Sequence, residues 1–260
     1  MATRNRQGRI TQILETLRTG RTVTVQELSQ QLSVSEMTIR RDLMLLASEE
    51  RIRLLKAGAQ IRSPSPEGKL SFYSRSSQTD AKAAEKSRIG AKAAALVEAG
   101  DVLIIDSGST TECLARSLPP DIPLTVICFA LNIFLEVGYH PARTVVFAGG
   151  ILRPDTLVCE SAEGIELLRR YRATKVFLSA GGVSTELGLT CMEAAEAELK
   201  RAAIRSSQSK ILLVDSTKFG RITPSWFAAL SEIEVVVTDA GVSLEYVEIL
   251  RSLGIALHVA

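Results

Sequence analysis

The 260-residue chain has two histidines, His140 and His258, and four cysteines, Cys113, Cys128, Cys159 and Cys191, which fall without paired spacing. Zinc sites and disulfide frameworks need clustered Cys and His, so neither is expected, and the sequence calls for no metal and no other cofactor. A histidine-dependent catalytic triad has only these two histidines to draw on, neither in a recognisable setting, which weakens most hydrolase readings. No apolar run approaches the roughly 18 residues needed to cross a bilayer. Met1 to Gly8 is polar and arginine-bearing rather than a signal peptide. The expectation is a cytoplasmic protein that makes no membrane contact.

What is present is ordinary in amount and uneven in distribution. With 46% hydrophobic and 23% charged residues the composition is that of a globular protein, and the length suits one or two domains. Met1 to Arg62 carries 11 Lys and Arg against 6 Asp and Glu, a balance of +5; the remainder carries 20 against 23, a balance of −3. A small basic segment ahead of a larger, mildly acidic one suits a nucleic-acid reader with an attached module.

Arg62-Ser-Pro-Ser-Pro-Glu-Gly68 places two prolines, two serines and a glycine in seven residues, and each Pro disfavours helix at the residue before it. It reads as a linker over 62–80, between a domain at 1–61 and one at 81–260. Beyond it, apolar runs at Val102 to Asp106, Leu124 to Cys128, Thr144 to Ala148, Lys175 to Ser179, Ile211 to Asp215 and Val235 to Thr238 alternate with helical patterns. Those patterns lie at Ala81 to Glu98, Thr111 to Leu118, Ala162 to Tyr171 and Glu193 to Ser206. Short apolar strands alternating with helices predict an α/β domain with a mostly parallel, Rossmann-like sheet buried on both faces.

In the first domain Ile10, Ile13, Leu14 and Leu17 recur at spacings of three and four, so Arg4 to Thr19 reads as an amphipathic helix stopped by Gly20. Val23-Thr-Val25 reads as extended, Gln26 to Leu32 as a short helix, and Ser33-Val34-Ser35 as a tight connection in which Ser35 caps the next helix. There Ile39, Leu43 and Leu46 share one face, while Met37, Arg40, Arg41 and Met44 point the other way with Thr38 at the flank. The pattern predicts a helix-turn-helix at about 22–41 whose last helix enters the major groove. Arg40 and Arg41 each suit a guanine edge or a phosphate, and Thr38 a base edge or a phosphate. Ile52 to Ala59 reads as a hairpin wing that brings Arg53 and Lys56 to the DNA backbone. The same arginines also read as solvation of a small protein-interaction domain.

In the second domain Val102-Leu-Ile-Ile-Asp106 runs into Ser107-Gly-Ser-Thr-Thr111 and a helix to Leu118. A strand, a small-residue loop and a helix N-terminus make an anion site, with Gly108 admitting close approach and Ser109, Thr110 and Thr111 adding donors; the alternative is a tight turn with a capped helix. Neither G-x-x-x-x-G-K nor G-x-G-x-x-G is present, which disfavours nucleotides and dinucleotides. Asn132, Gly149-Gly150, Gly181-Gly182, and Asp215 with Lys218 follow other strands, at the edge where open α/β sheets bind ligands. Lys218 suits a phosphate or a sugar oxygen, or is a lysine exposed beside a turn.

Val34-Ser-Glu-Met-Thr-Ile-Arg-Arg-Asp-Leu43, followed by a basic wing ending in Lys56-Ala-Gly-Ala59, resembles the DeoR-type winged helix-turn-helix, whose wing usually ends in His-Gly-Gly-Ala. The order Lys86-x-x-Ile89, Asp106-Ser-Gly-Ser-Thr-Thr111, Asn132, Gly149-Gly150, Gly188-Leu-Thr190, Asp215-Ser-Thr-Lys-Phe-Gly220 and Thr238-Asp239 resembles the sensor domain of the same family, so that the likeness spans nearly the whole chain. At Leu131-Asn132 that family more often has Thr-Asn. The resemblance implies a sensor similar in fold to ribose-5-phosphate isomerase, an operator-binding site at Ser35, Met37, Thr38, Arg40, Arg41, Arg53 and Lys56, and a phosphorylated sugar effector. The effector would be held by Asp106, Gly108, Ser109, Thr110, Thr111, Asn132, Gly149, Gly150 and Lys218.

Isomerase chemistry needs a carboxylate base beside the sugar's first carbons, and the nearest counterpart of the isomerase's acidic loop, Ser179-Ala-Gly-Gly182, has none. Asp106 and Glu193 lack a partner that would make either a base, so no catalytic residue is assigned. The expectation is a regulator, a repressor of a sugar-utilisation operon acting as a homo-oligomer on repeated half-sites. The rivals are a sugar-phosphate isomerase with an accessory DNA-binding domain and a basic module for an acidic protein partner.

Overall fold

Ile10, Ile13 and Leu17 are buried against Leu28, Ile39, Leu43 and Leu46, so the apolar stripe of the first helical pattern packs onto the next two helices. Burying each such side chain contributes roughly 1.5–3 kcal/mol, and no other core is open to so short a segment. These residues belong to the first of two units, Met1–Leu70 and Ser71–Ala260. The structure is a computed structural model that describes residues 9–10, 12–13, 16–17, 23–48, 52–55, 58–61 and 82–260. The linker read at 62–80 and the wing residue Lys56 lie outside the described residues.

Residues 9–10, 12–13 and 16–17 are helical. Helix α1 runs Val25–Leu32 and helix α2 Glu36–Ser48. Val25 therefore opens a helix instead of ending an extended piece. The cause is Thr24, whose hydroxyl accepts from Glu27 N while the Glu27 carboxylate accepts from Thr24 N at 2.7 Å, a reciprocal cap that fixes the start. Ser33 ends α1 in the left-handed region, φ 51°. Strands β1 (Ile52–Leu55) and β2 (Gly58–Ile61) pair antiparallel, and Val23 bridges to Ala59 across the hairpin. A helix-turn-helix with a wing is the architecture of this unit.

The second unit is a seven-stranded, all-parallel sheet between two helix layers. Its elements in chain order are α3 (Ala83–Ala94), β3 (Val102–Ile105), α4 (Ser109–Ser117), β4 (Leu124–Cys128), α5 (Leu131–Val137) and β5 (Arg143–Phe147). The hairpin β6 (Ile151–Leu152) and β7 (Cys159–Glu160) leads to α6 (Ala162–Arg170) and β8 (Ala173–Leu178). Then come β9 (Gly182–Ser184), β10 (Gly188–Cys191), α7 (Ala194–Arg205), β11 (Ser207–Leu213), β12 (Ser225–Ala228), β13 (Val235–Thr238), α8 (Leu244–Ser252) and β14 (Ala256–Val259). The large sheet has the order β14-β13-β11-β8-β3-β4-β5, while β12-β10-β9 form a small antiparallel sheet.

Side-chain alternation along the strands divides the core in two. Ile104, Ile127, Val176, Leu212 and Val236 face α6, α7 and α8, whereas Leu103, Ile105, Val126, Phe177 and Val237 face α3, α4 and α5. Chain order reverses between β3 and β8, and at such a switch point the carboxyl ends of adjacent strands part into a crevice. The loops after β3 and β8 stand there. No helix among the described residues is long and apolar enough to cross a membrane.

Candidate functional site

In the first unit α2 presents two distinct faces. Ile39, Leu43 and Leu46 are buried, and Arg9 Nε donates to the buried Asp42 carboxylate at 2.6 Å, tying the first helical segment to α2. The opposite face carries Met37 and Met44, 61% and 65% exposed, with Arg40 and Arg41 also exposed. Arg40 has only a 3.7 Å approach to Glu36 one turn back, too weak a surface pair to hold it. Ser35 accepts from Thr38 N at 3.3 Å, and its hydroxyl lies 3.0 Å from the Thr38 hydroxyl, so Ser35 caps α2 as read from the sequence. The five positions Ser35, Met37, Thr38, Arg40 and Arg41 thus fall on or beside one helix face. Arg53 is in β1, paired with Gln60, and its side chain lies outside the described residues.

In the second unit the structure builds the switch point from β3, β8 and α7. Gly108 leads into α4 with φ +120°, a conformation open to glycine, and a Cβ there would lie 3.0 Å from Ser179 Oγ. No side chain caps α4, so the first-turn N–H groups of Ser109, Thr110 and Thr111 stand open at the positive end of the helix. Thr111 Oγ1 donates to Gly108 O at 3.0 Å, whereas the Ser109 and Thr110 hydroxyls have no partner among the described residues. Asn132, at the start of α5, is 7% exposed; its Nδ2 donates to Gly108 O at 3.5 Å and Glu112 Oε2 at 3.1 Å, and its buried Oδ1 accepts from none of the described residues.

Asp106 has a different place from that expected of a ligand contact. It is fully buried, and its Oδ2 accepts from Ser179 N at 2.8 Å, from Ser179 Oγ at 3.0 Å and from Lys200 Nζ. Lys200, also fully buried, reaches Ser179 O at 3.2 Å and Glu196 Oε1 at 3.0 Å, and lies over the Phe227 ring. Ser107 Oγ donates to Glu196 Oε1 at 3.2 Å. Burial alone would discharge Lys200, but the Asp106 and Glu196 carboxylates beside it outweigh that and hold its pKa above the usual lysine value. One lysine therefore joins the ends of β3 and β8 to α7, directly beneath the Gly108 loop.

Gly149, Gly150 and Lys218 stand along the same carboxyl edge, and no hydrogen bond among the described residues joins them to Gly108. Gly149 and Gly150 follow β5; Gly149 O accepts from Ser161 Oγ at 2.9 Å, and Gly150 has φ +145° with Glu160 O only 2.4 Å from where a Cβ would sit. Lys218 is half-buried in a 3-10 turn, Ser216–Lys218, that the buried Asp215 caps through Thr217 N at 3.1 Å. Burial, with Arg221 and Lys86 nearby, lowers the Lys218 pKa against the pull of Asp215. Lys218 thus shares this end of the edge with Arg221, Lys86 and the Asp215 carboxylate.

Residues 9–65 match the DeoR-like helix-turn-helix domain, and residues 81–240 match the DeoR C terminal sensor domain. The chain belongs to the DeoR family. It is 31% identical over 243 residues to the deoxyribose operon repressor of Escherichia coli, covering 94% of each chain. It is 31% identical over 238 residues to the HTH-type transcriptional regulator GolR of Listeria innocua, covering 92% of each, and 28% identical over 251 residues to the HTH-type transcriptional repressor GlcR of Bacillus subtilis, covering 96% and 95%. Among solved structures, ribose 5-phosphate isomerase A of Methanocaldococcus jannaschii aligns with a TM-score of 0.39 at 16% identity, over 53% of this chain and 55% of that one. The probable sor operon regulator of Shigella flexneri aligns with a TM-score of 0.45 at 10% identity, over 61% and 86%; neither likeness bears on function. As a DeoR-family member the chain is a DNA-binding transcriptional regulator and not an enzyme.

The sequence pattern of this DeoR-family chain does not single out Ser179, Glu196 and Lys200 as site residues. A signal was present: Glu196 and Lys200 are spaced i,i+4 on a stripe of α7 that otherwise holds Ala197, Ala203 and Ile204. Charge on an apolar face marks a partner elsewhere in the fold, but the partner, Asp106, is 94 residues away.

Proposed function

We propose that this DeoR-family regulator represses a sugar-utilisation operon and releases its operator when a phosphorylated sugar binds at the N-terminus of α4. The observation that carries the effector reading is the conjunction of open first-turn N–H groups at Ser109 to Thr111 with the buried, unpartnered Asn132 Oδ1 beside Gly108. Helix N-termini attract phosphate through both donors and dipole, and Lys218 adds positive charge from the same edge. Its relative in Escherichia coli is named for the deoxyribose operon, which suits a sugar-derived signal. The Asp106 carboxylate shapes the loop through Ser179 and does not touch the ligand. Operator reading falls to Thr38, Arg40 and Arg41, with Ser35 and Met37 at the helix start and Arg53 and Lys56 on the wing.

One recognition helix covers only a few base pairs, so the regulator acts as a symmetric homo-oligomer on repeated half-sites, in the cytoplasm where its operator is. Effector binding shifts operator affinity only through a difference in affinity between two states of the protein. The test is operator release by sugar phosphates in a Ser109→Ala, Thr110→Ala variant. The reading expects a large rightward shift in the effector concentration needed for release; unchanged sensitivity would contradict it.

A further inference from the structure

Two acceptors without a partner among the described residues belong to side chains that touch the loop leading into α4. Asn132 Oδ1 is one, on the α5 side of the sheet. The other is Glu196, on the α7 side: the residue is 9% exposed, its Oε1 takes both Ser107 Oγ at 3.2 Å and Lys200 Nζ at 3.0 Å, and its Oε2 accepts no hydrogen bond among the described residues. A phosphate brings acceptor oxygens, which answer the open N–H groups of Ser109, Thr110 and Thr111 but leave both side-chain acceptors unmet. Buried polar groups are paired, and Asn132 Oδ1 is buried without a partner among the described residues while the Glu196 side chain keeps some exposure, so a ligand donor can reach either; the donors a phosphorylated sugar carries are hydroxyls.

The geometry points to Glu196 as the specificity-determining residue that accepts a sugar hydroxyl and so separates a sugar phosphate from bare phosphate, with Lys200 as the positioning residue that engages its Oε1 and leaves Oε2 unengaged. This rests on the effector site proposed above. Lys200 cannot itself serve the phosphate, because it has no exposure and its donors go to Asp106, Glu196 and Ser179. Asp106 cannot substitute for Glu196, because its side chain has no exposure; its Oδ2 takes Ser179 N, Ser179 Oγ and Lys200 Nζ, and its Oδ1 faces Ser107 Oγ at 3.4 Å. Glu196 is the acidic side chain of the cluster that keeps both some exposure and an oxygen without a partner among the described residues.

The experiment is calorimetric titration of the full chain with ribose 5-phosphate, deoxyribose 5-phosphate, glucose 6-phosphate and inorganic phosphate, for the wild type, Glu196→Gln and Glu196→Asp. At least one sugar phosphate is expected to bind more tightly than inorganic phosphate. Glu196→Gln is expected to weaken that sugar phosphate by about 10- to 100-fold, the range for losing a hydrogen bond to a charged group, with little change for inorganic phosphate. Glu196→Asp, which keeps the carboxylate but draws it back by one carbon, falls between. The inference is overturned by a wild type that binds no sugar phosphate better than inorganic phosphate, by equal sugar phosphate binding in wild type and variants, or by parallel losses for both ligands, which mark a merely structural role. Failure of the underlying site looks different: Ser109→Ala with Thr110→Ala then leaves the binding of every phosphate intact.

Discussion

Lys200 on α7 and Asp106 at the end of β3 form an ion pair in which neither side chain is exposed. Removing one partner of such a pair leaves an uncompensated buried charge, which costs about 3–5 kcal/mol. Lys200→Met is therefore expected to destabilise the sensor unit by that order in urea unfolding, while Lys200→Met combined with Asp106→Asn loses less than the single variant. A double variant as unstable as the sum of the two single ones would show that the pair is not coupled.

Arg40 and Arg41 lie exposed on the outer face of α2 and have no strong partner among the described residues. Arg40→Ala together with Arg41→Ala is expected to weaken operator binding by at least the roughly 1–3 kcal/mol of one good base contact and to flatten the dependence on salt if either arginine meets phosphate. Electrophoretic titration at several salt concentrations separates the two contributions. Unchanged affinity would remove α2 as the reading element.

Gly108 has no room for a side chain: φ is +120°, and a Cβ would press on Ser179 Oγ at 3.0 Å and Ser179 Cβ at 3.1 Å. Backbone strain of this kind costs about 1–3 kcal/mol, and moving Ser179 disturbs the Asp106 contacts as well. Gly108→Ala is expected to give a regulator that binds operator but no longer releases it with sugar phosphate. Normal release by the variant would show that the loop geometry is not needed.

Asp101, at the opposite end of β3, is partly buried, which favours its neutral form. Lys175 Nζ at 2.6 Å, Glu98 N at 2.8 Å and Thr174 Oγ1 at 2.7 Å outweigh that and hold its pKa below the usual carboxylate range. A depressed folded pKa contributes stability that is fully present above the unfolded value of about 3.9 and fades as pH falls through the folded one. Below about pH 4 the wild type is thus expected to lose stability more steeply than Asp101→Asn. Parallel pH profiles from thermal unfolding would deny Asp101 this role.

Sequence pattern and structure agree where a segment carries its own instruction. Val102 to Ile105 is a short apolar run that only a doubly covered strand explains, and the Ile39, Leu43, Leu46 stripe dictates which face of α2 turns inward. Agreement fails where the instruction comes from far away. Leu131–Val137 is a short apolar segment that strand and helix fit equally well, so its pattern does not declare a helix; β14, with its half-exposed Ala256–Val259, is hidden because an edge strand has no continuous apolar run. Val25 looked extended because its side chain is β-branched, yet the Thr24 and Glu27 cap settled the matter. At the candidate site the loop from Ser107 to Thr111 was legible from its small residues. The inward turn of Asp106 was not, since it depends on a lysine 94 residues on.

The account stands or falls on one titration: labelled DNA from upstream of the protein's own operon, bound by the full chain at rising salt and then challenged with pentose and hexose phosphates. The account predicts binding that falls steeply with salt, as counterion release requires, and release by one sugar phosphate at concentrations where inorganic phosphate has no effect. DNA binding that no sugar phosphate changes would contradict the central claim that the crevice at Gly108 senses such a ligand.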